Sequence, residues 1–176
     1  MRGYFAIGAE RISKPMNLGA LMRTGHAFGA SFVFSIRAAQ NIKEGHWADT
    51  SKSEGQIPFY QWDSIDEMQL PRGCQLVGVE LTEDAVMLPV FRHPPQAAYI
   101  LGPEKGSLSP AILERCAHVV KIPTKFCINV SLAGALVMYD RHLSMGGYAP
   151  RPIMPGGPET TTRKHVPGPD RKKPAG

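Results

Sequence analysis

Asn129 and Ser131 are polar residues set at an abrupt change of pattern. Ahead of them His118 to Ile122 is short and β-branched and is closed by Pro123, whereas behind them Leu132, Ala135, Leu136 and Tyr139 recur at helical spacing. Asn and Ser side chains at a helix start accept hydrogen bonds from the unpaired amides of the first turn. The same amides can hold the polar edge of a ligand, so this string alone leaves capping and ligand binding both open. A second string, 99–110, runs a buried-looking strand into Gly102 and Gly106, with Glu104 between them and a helix from Ser109. A glycine pair with one carboxylate after a strand marks a tight turn or a close backbone approach to a ligand. In a third string Asn17 follows a short strand, Tyr4 to Gly8. It is placed to cap a helix carrying Leu18, Leu21 and Met22 on one side, with Phe28 further along and Gly29 as the stop.

The elements that must position these residues alternate in type. Short runs at Tyr4 to Gly8, Asn17 to Phe28, Ser31 to Ile36, Ser64 to Leu70, Gln75 to Leu81, Ala98 to Leu101, Ser109 to Cys116, His118 to Ile122 and Asn129 to Leu143 read as strands interleaved with helices. That alternation predicts an α/β fold with a mainly parallel sheet. Arg37 to Asp63 is less regular and is punctuated by Gly45, Gly55 and Pro58. It reads as a long connection bearing surface groups such as His46, Asp49, Ser51 and Lys52, and long loops in compact domains are often functional.

In this order, the three strings resemble the signature motifs of the SpoU/TrmH family of SPOUT-class RNA ribose 2'-O-methyltransferases. Asn17, Gly19, Ala20, Arg23, Thr24, Phe28 and Gly29 match the first motif. Gly102, Glu104 and Gly106 match the second, and Ile122, Pro123, Asn129, Val130, Ser131 and Ala133 match the third. The resemblance implies a domain over 1–144, with helices on both faces of the sheet and a C-terminal trefoil knot in which the segment around Lys121 to Ser131 passes through a loop. It also implies S-adenosylmethionine in the knot's cleft and a homodimer with a shared RNA site. Because the motif-bearing fold starts almost at residue 1, the extra N-terminal RNA-binding domain of some family members is not expected. The chain departs from the family pattern after Pro123. Only Thr124, Lys125 and Phe126 intervene before Cys127 and Ile128, which stand where the family has Ser-Leu.

A ribose hydroxyl is a poor nucleophile at neutral pH, so the implied reaction needs alignment, worth on the order of 7 kcal/mol, and stabilisation of the forming alkoxide. The family's catalytic arginine falls on Arg23. A guanidinium, with a pKa above about 12, is better suited to grip a phosphate and lower the hydroxyl's pKa than to act as a base. Glu104 would orient Arg23 or a group of the dimer partner through a charge-assisted bond. Asn129 would position the ribose or the cofactor's amino-acid end, and Asn17 the loop near Arg23. Cofactor contacts fall on Leu81, Gly102, Gly106, Ile122, Cys127, Ile128 and Ser131, mostly through backbone.

The chain of 176 residues suits one domain, and its 43% hydrophobic content agrees. No apolar run approaches the roughly 20 residues of a membrane span, and the N-terminus does not read as a secretory signal. Cys74, Cys116 and Cys127 are odd in number without metal-ligand spacing, and the six histidines show no such spacing either, so the expectation is a cytoplasmic protein with no structural metal. Trp47 and Trp62 are candidates for base stacking or for local packing. The net charge of +5 is unevenly placed. Residues 145–176 hold six basic residues, Arg151, Arg163, Lys164, Arg171, Lys172 and Lys173, against Glu159 and Asp170. This Pro/Gly-rich tail has no apolar periodicity and is expected to be disordered. It either keeps the protein in solution or contacts RNA phosphates, with Arg163, Lys164, Arg171, Lys172 and Lys173 as the binding cations. Transfer RNA is the expected substrate, with ribosomal RNA or a non-catalytic RNA-binding role as alternatives.

Overall fold

The structure is a computed structural model that describes residues 3–43, 57–149, 151–152 and 155–157. Seven strands are present among them: β1 (Tyr4–Glu10), β2 (Phe32–Ile36), β3 (Phe59–Trp62), β4 (Gln75–Val79), β5 (Val86–Met87), β6 (Gln96–Leu101) and β7 (His118–Lys121). The helices are α1 (Pro15–Phe28), the short α2 (Gln40–Lys43), α3 (Pro110–Arg115) and α4 (Val130–Met145). The strands form one sheet in the order β3-β2-β1-β6-β4-β7-β5, and every pairing is parallel.

Parallel strands covered on both faces need apolar residues at consecutive positions, and β1, β2 and β6 supply them. Side chains still divide by the period of two. Phe5, Ile7 and Ala9 of β1, Val33 of β2, Val77 and Val79 of β4, and Tyr99 and Leu101 of β6 pack with Leu18, Leu21 and Met22 of α1 and Val130, Val137 and Met138 of α4. On the other face Ala6, Phe32, Phe34, Ile36, Leu76, Ala98 and Ile100 pack against Ile65, Leu108 and Ile112. Each of the larger aliphatic or aromatic side chains contributes about 1.5–3 kcal/mol when fully buried. Gly134 lets α4 approach α1, because a Cβ there would lie 2.6 Å from Leu21 Cδ1.

A buried polar network holds the C-terminal half of α4 to the opposite, N-terminal end of the sheet. Arg141, 1% exposed, donates to the carbonyls of Pro94 at 2.6 Å and Pro95 at 2.8 Å and to the Tyr99 hydroxyl at 3.1 Å. Its guanidinium also lies over the rings of Phe5 and Tyr99. His93 Nε2 is 2.9 Å from Asp140 Oδ2, and His93 Nδ1 is 2.6 Å from the Tyr99 hydroxyl. Burial pushes the His93 pKa down, against the opposing pull of the Asp140 carboxylate. The neutral ring therefore donates from Nε2 to Asp140, which can only accept, and takes the Tyr99 proton at Nδ1.

Three expectations from sequence are corrected. Ser64 to Leu70 is not a helix but a series of bends and turns, whose Ile65, Met68 and Leu70 cover the sheet directly. The connection Arg37 to Asp63 is not wholly irregular, since it contains α2 and the edge strand β3; His46, Trp47, Asp49, Ser51 and Lys52 lie outside the described residues. Asn17 does not cap α1, because the helix starts two residues earlier at Pro15 with Lys14 as its N-cap. Of the tail cations, Arg163, Lys164, Arg171, Lys172 and Lys173 lie outside the described residues.

Candidate active site

In parallel α/β sheets the strands' carboxyl ends expose loop backbone and helix N-termini on one edge, and ligands gather there. Here a cleft of about 340 Å³ opens at the ends of β4, β6 and β7, within the roughly 300–1,000 Å³ of small-molecule sites. Of the residues expected there, Asn17, Leu81, Gly102, Glu104, Gly106, Ile122, Cys127, Ile128 and Asn129 all line it. The backbone explains the glycines. Gly106 has φ of 95° with open space where a Cβ would point, and a Cβ on Gly102 would stand 3.1 Å from Glu80 Oε2 and 3.4 Å from the Leu108 amide. Side chains at either position would disturb the turn that forms the cleft floor.

The polar wall is one connected chain of side chains. Asn129 Nδ2 donates to Asn17 Oδ1 at 3.0 Å, and Asn17 Nδ2 donates to Glu104 Oε1 at 3.0 Å. Asn129 Oδ1 accepts from the Ser131 amide at 2.9 Å and from the Ser131 hydroxyl at 2.6 Å. The carboxylate sets the direction, because it can only accept. It fixes the Asn17 amide group toward itself and the Asn17 oxygen toward Asn129. That in turn leaves the Asn129 oxygen to cap α4. Asn129 thus both caps α4 and lines the cleft.

Glu104 reaches further. Its oxygens also accept from the Ser13 amide at 3.1 Å, the Ser13 hydroxyl at 3.0 Å and the Lys14 amide at 2.9 Å. A loop carboxylate thereby ties down the N-cap residue Lys14 and the residue before it, at the positive end of the helix dipole. Burial alone would raise its pKa, but the bonds from Asn17, Lys14, its own amide and Ser13 outweigh that and hold it below the usual value.

Other expected residues are placed elsewhere. Arg23 is exposed on the outer face of α1 and does not line the cleft. Within one chain Glu104 bonds Ser13, Lys14 and Asn17 at the start of α1, at a distance from Arg23. Ser131 bonds to Asn129 without lining the cleft. Trp62 lies parallel to Tyr60 with ring centres 6.0 Å apart and packs on Phe34.

Sequence reading missed Glu80, which lines the cleft and accepts from the Leu81 amide at 2.9 Å and the Leu108 amide at 2.7 Å. Glu10, fully buried, likewise accepts from the Ser109 amide at 2.8 Å. The signal for both was available: an acid at the end of an apolar strand, ahead of a loop whose amides need acceptors. Lys14, Pro103 and Thr124 also line the cleft. Among the described residues no group of three or more His, Cys, Asp or Glu side chains could hold a metal ion, and no helix is long and apolar enough to cross a membrane.

Fold and cleft together define an α/β protein with an open cleft at the carboxyl edge of a parallel sheet. Residues 4–139 match the model of the SpoU rRNA Methylase family, and the chain belongs to that family. It is similar to the mouse (Mus musculus) tRNA (guanosine(18)-2'-O)-methyltransferase TARBP1, at 28% identity over 75% of this chain and 9% of the relative. Among solved structures it resembles the AdoMet-bound rRNA methyltransferase from Sinorhizobium meliloti, with a TM-score of 0.72 and 19% identity over 82% of this chain and 58% of that one. A structure described as giving insights into 2-OH methylation of C/U34 on tRNA aligns at a TM-score of 0.68 and 19% identity, over 84% of this chain and all of that one. The chain spans less than half the length of the curated relatives it matches.

Proposed function

We propose that the protein is an S-adenosylmethionine-dependent RNA methyltransferase acting on a ribose 2'-hydroxyl, with tRNA as its substrate. The observation that carries the reading is the relay from Glu104 through Asn17 to Asn129. It joins the three family motifs around one cleft. The cofactor fits this cleft by size and by the open space at Gly106, and when bound it supplies an electrophilic methyl group. Leu81, Gly102, Ile122, Cys127 and Ile128 would hold it, with a thiol at Cys127 in place of the family's hydroxyl. Asn129, oriented by Asn17, would position the ribose. A knot around Lys121 to Ser131 belongs to the same reading.

Arg23 enters through a second copy of the chain. Met16, Ala20, Arg23 and Ala27 form an exposed stripe on α1, and Leu132, Leu136 and Tyr139 form one on α4. Pairing of this face in a homodimer would bury the apolar residues and carry Arg23 to a shared RNA site, where its charge would favour the ionised hydroxyl. The basic tail adds sequence-blind phosphate contacts. All three cysteines are free, which supports a cytoplasmic location.

The test is incubation of the full chain with methyl-labelled cofactor and separate tRNA and rRNA pools, followed by mapping of 2'-O-methyl positions. Label on a tRNA ribose is expected. Transfer only to rRNA corrects the substrate. Cofactor binding without transfer to either pool would replace catalysis by a binding role.

A further inference from the structure

We propose that a second, basic pocket beside the cleft is a subsite for a backbone phosphate of the RNA, next to the nucleotide being modified. This inference rests on the reading of the chain as an RNA methyltransferase and names a phosphate site that reading does not supply. The pocket measures about 190 Å³ and is lined by Arg11, Ser13, Lys14, Pro103, Glu104 and Lys105. Lys14, Pro103 and Glu104 also line the larger cleft. The two cavities therefore share a wall, and a polyanion whose ribose enters one places a neighbouring phosphate at the other.

Three cations face one carboxylate in this lining, so the pocket is net positive even with Glu104 ionised. The Glu104 oxygens are turned toward the Ser13 and Lys14 amides, the Ser13 hydroxyl and Asn17. Its charge is thus directed into the fold. Lys14 and Lys105 have no side-chain partner among the described residues and are exposed. Lysines without partners remain available to an incoming phosphate.

The backbone beneath them is held in advance. Arg11 has φ of 51°, the left-handed region that a non-glycine residue rarely adopts. Its amide donates to the Ile36 carbonyl at 2.8 Å, and its guanidinium donates to the Ser107 carbonyl at 2.6 Å. Arg11 Nε also lies 3.8 Å from Glu10 Oε1, a fully buried oxygen with no hydrogen-bond partner. Asn41 Nδ2 ties the Ser13 carbonyl at 3.1 Å. The loop is thereby fixed to β2, to the β6–α3 turn and to α2, so little ordering is left for binding to supply. The Arg11 side chain remains 45% exposed, enough to present its remaining donors to a phosphate.

The chemistry recognised is an oxyanion, and the cofactor's carboxylate is the other possible source, so the experiment separates the two. Arg11→Gln and Lys105→Gln are made in the full chain, and binding of an unmodified tRNA transcript across a salt series is compared with binding of S-adenosylhomocysteine alone. The expected result is RNA affinity about tenfold weaker at low salt, with S-adenosylhomocysteine affinity unchanged. The slope of log K against log salt should also become shallower by about 0.7 for each phosphate no longer neutralised. Weaker S-adenosylhomocysteine binding, with or without an RNA effect, overturns the assignment, as does no change in either ligand. Lys105 makes no internal bond among the described residues, so Lys105→Gln decides the matter should Arg11→Gln fail to fold. A wild-type chain that transfers no methyl, yet whose salt slope flattens in these variants, would refute the enzymatic reading while keeping the phosphate site.

Discussion

The side-chain amide of Asn129 donates to the side-chain oxygen of Asn17 across 112 positions of sequence. This bond joins the first turns of α1 and α4, and its direction is dictated by Glu104 at the far end of the relay. The polar wall of the cleft is consequently a single unit with one allowed orientation at each amide.

Asn17→Asp tests that unit with a nearly isosteric change. A carboxylate would lose the donor to Glu104 and set a like charge beside it, at a position only 7% exposed. A loss of about 2–3 kcal/mol is expected, read as a lower urea midpoint with unchanged slope. Full stability together with normal cofactor affinity would mean that the relay does not hold the site together.

Stability should decline with acid over two pH ranges. His93 has its pKa lowered from 6.5, by burial above all. Glu104 has its pKa lowered from 4.5, because the bonds it accepts outweigh its burial. In both cases the unfolded chain takes up the proton more readily than the folded one, so stability is complete above the ordinary value and is lost as pH falls below it. Urea midpoints should decline from about pH 6.5 on account of His93, and again below about pH 4.5 on account of Glu104. His93→Gln should flatten the first decline. A midpoint constant from about pH 7.5 to 5 would contradict a neutral, buried His93.

Arg23→Ala should separate function from folding. The side chain is exposed and has no partner among the described residues, so stability should change by less than about 0.5 kcal/mol. Methyl transfer should disappear while calorimetric affinity for the cofactor stays within a few fold. Normal turnover in the variant would end the case for Arg23.

Gly134→Val probes the packing of α1 on α4. A Cβ at this position would already meet Leu21 Cδ1 at 2.6 Å, and two further methyls would force the helices apart. A loss of about 1–3 kcal/mol is expected, seen in a thermal melt. Gly134→Ala should lose less, because Leu21 can shift its flexible end.

Sequence legibility varied with the kind of signal. Continuous apolar runs announced β1, β2, β4 and β6, and the three polar strings announced their own convergence, because loops after parallel strands all open at one edge. Ser64 to Leu70 misled because Ile65 and Met68 have the i, i+3 spacing of a helix face, yet they and Leu70 cover the sheet from a chain of turns. β3 was hidden at an edge, where Tyr60 and Gln61 face solvent and no apolar run is needed. Glu104's tie to α1 was illegible for a different reason. A carboxylate that holds the residue before a helix from 90 positions away leaves no local pattern.

The strand order also governs when the cleft can come into being. β3, β2 and β1 are neighbours in both sequence and space, so they can associate while the rest of the chain is still being synthesised. The next strand inward is β6, paired from Tyr4↔Gln96 to Ala9↔Leu101. Long-range parallel pairings of this kind are slow to form, and until β6 arrives the inner edge of β1 stays open and prone to mispairing. Only after β7 is in place does α4 bring Asn129 to Asn17. The topology thus leaves a chain that ends after β7 with every strand of the sheet but without Asn129, and so without one wall of the cleft.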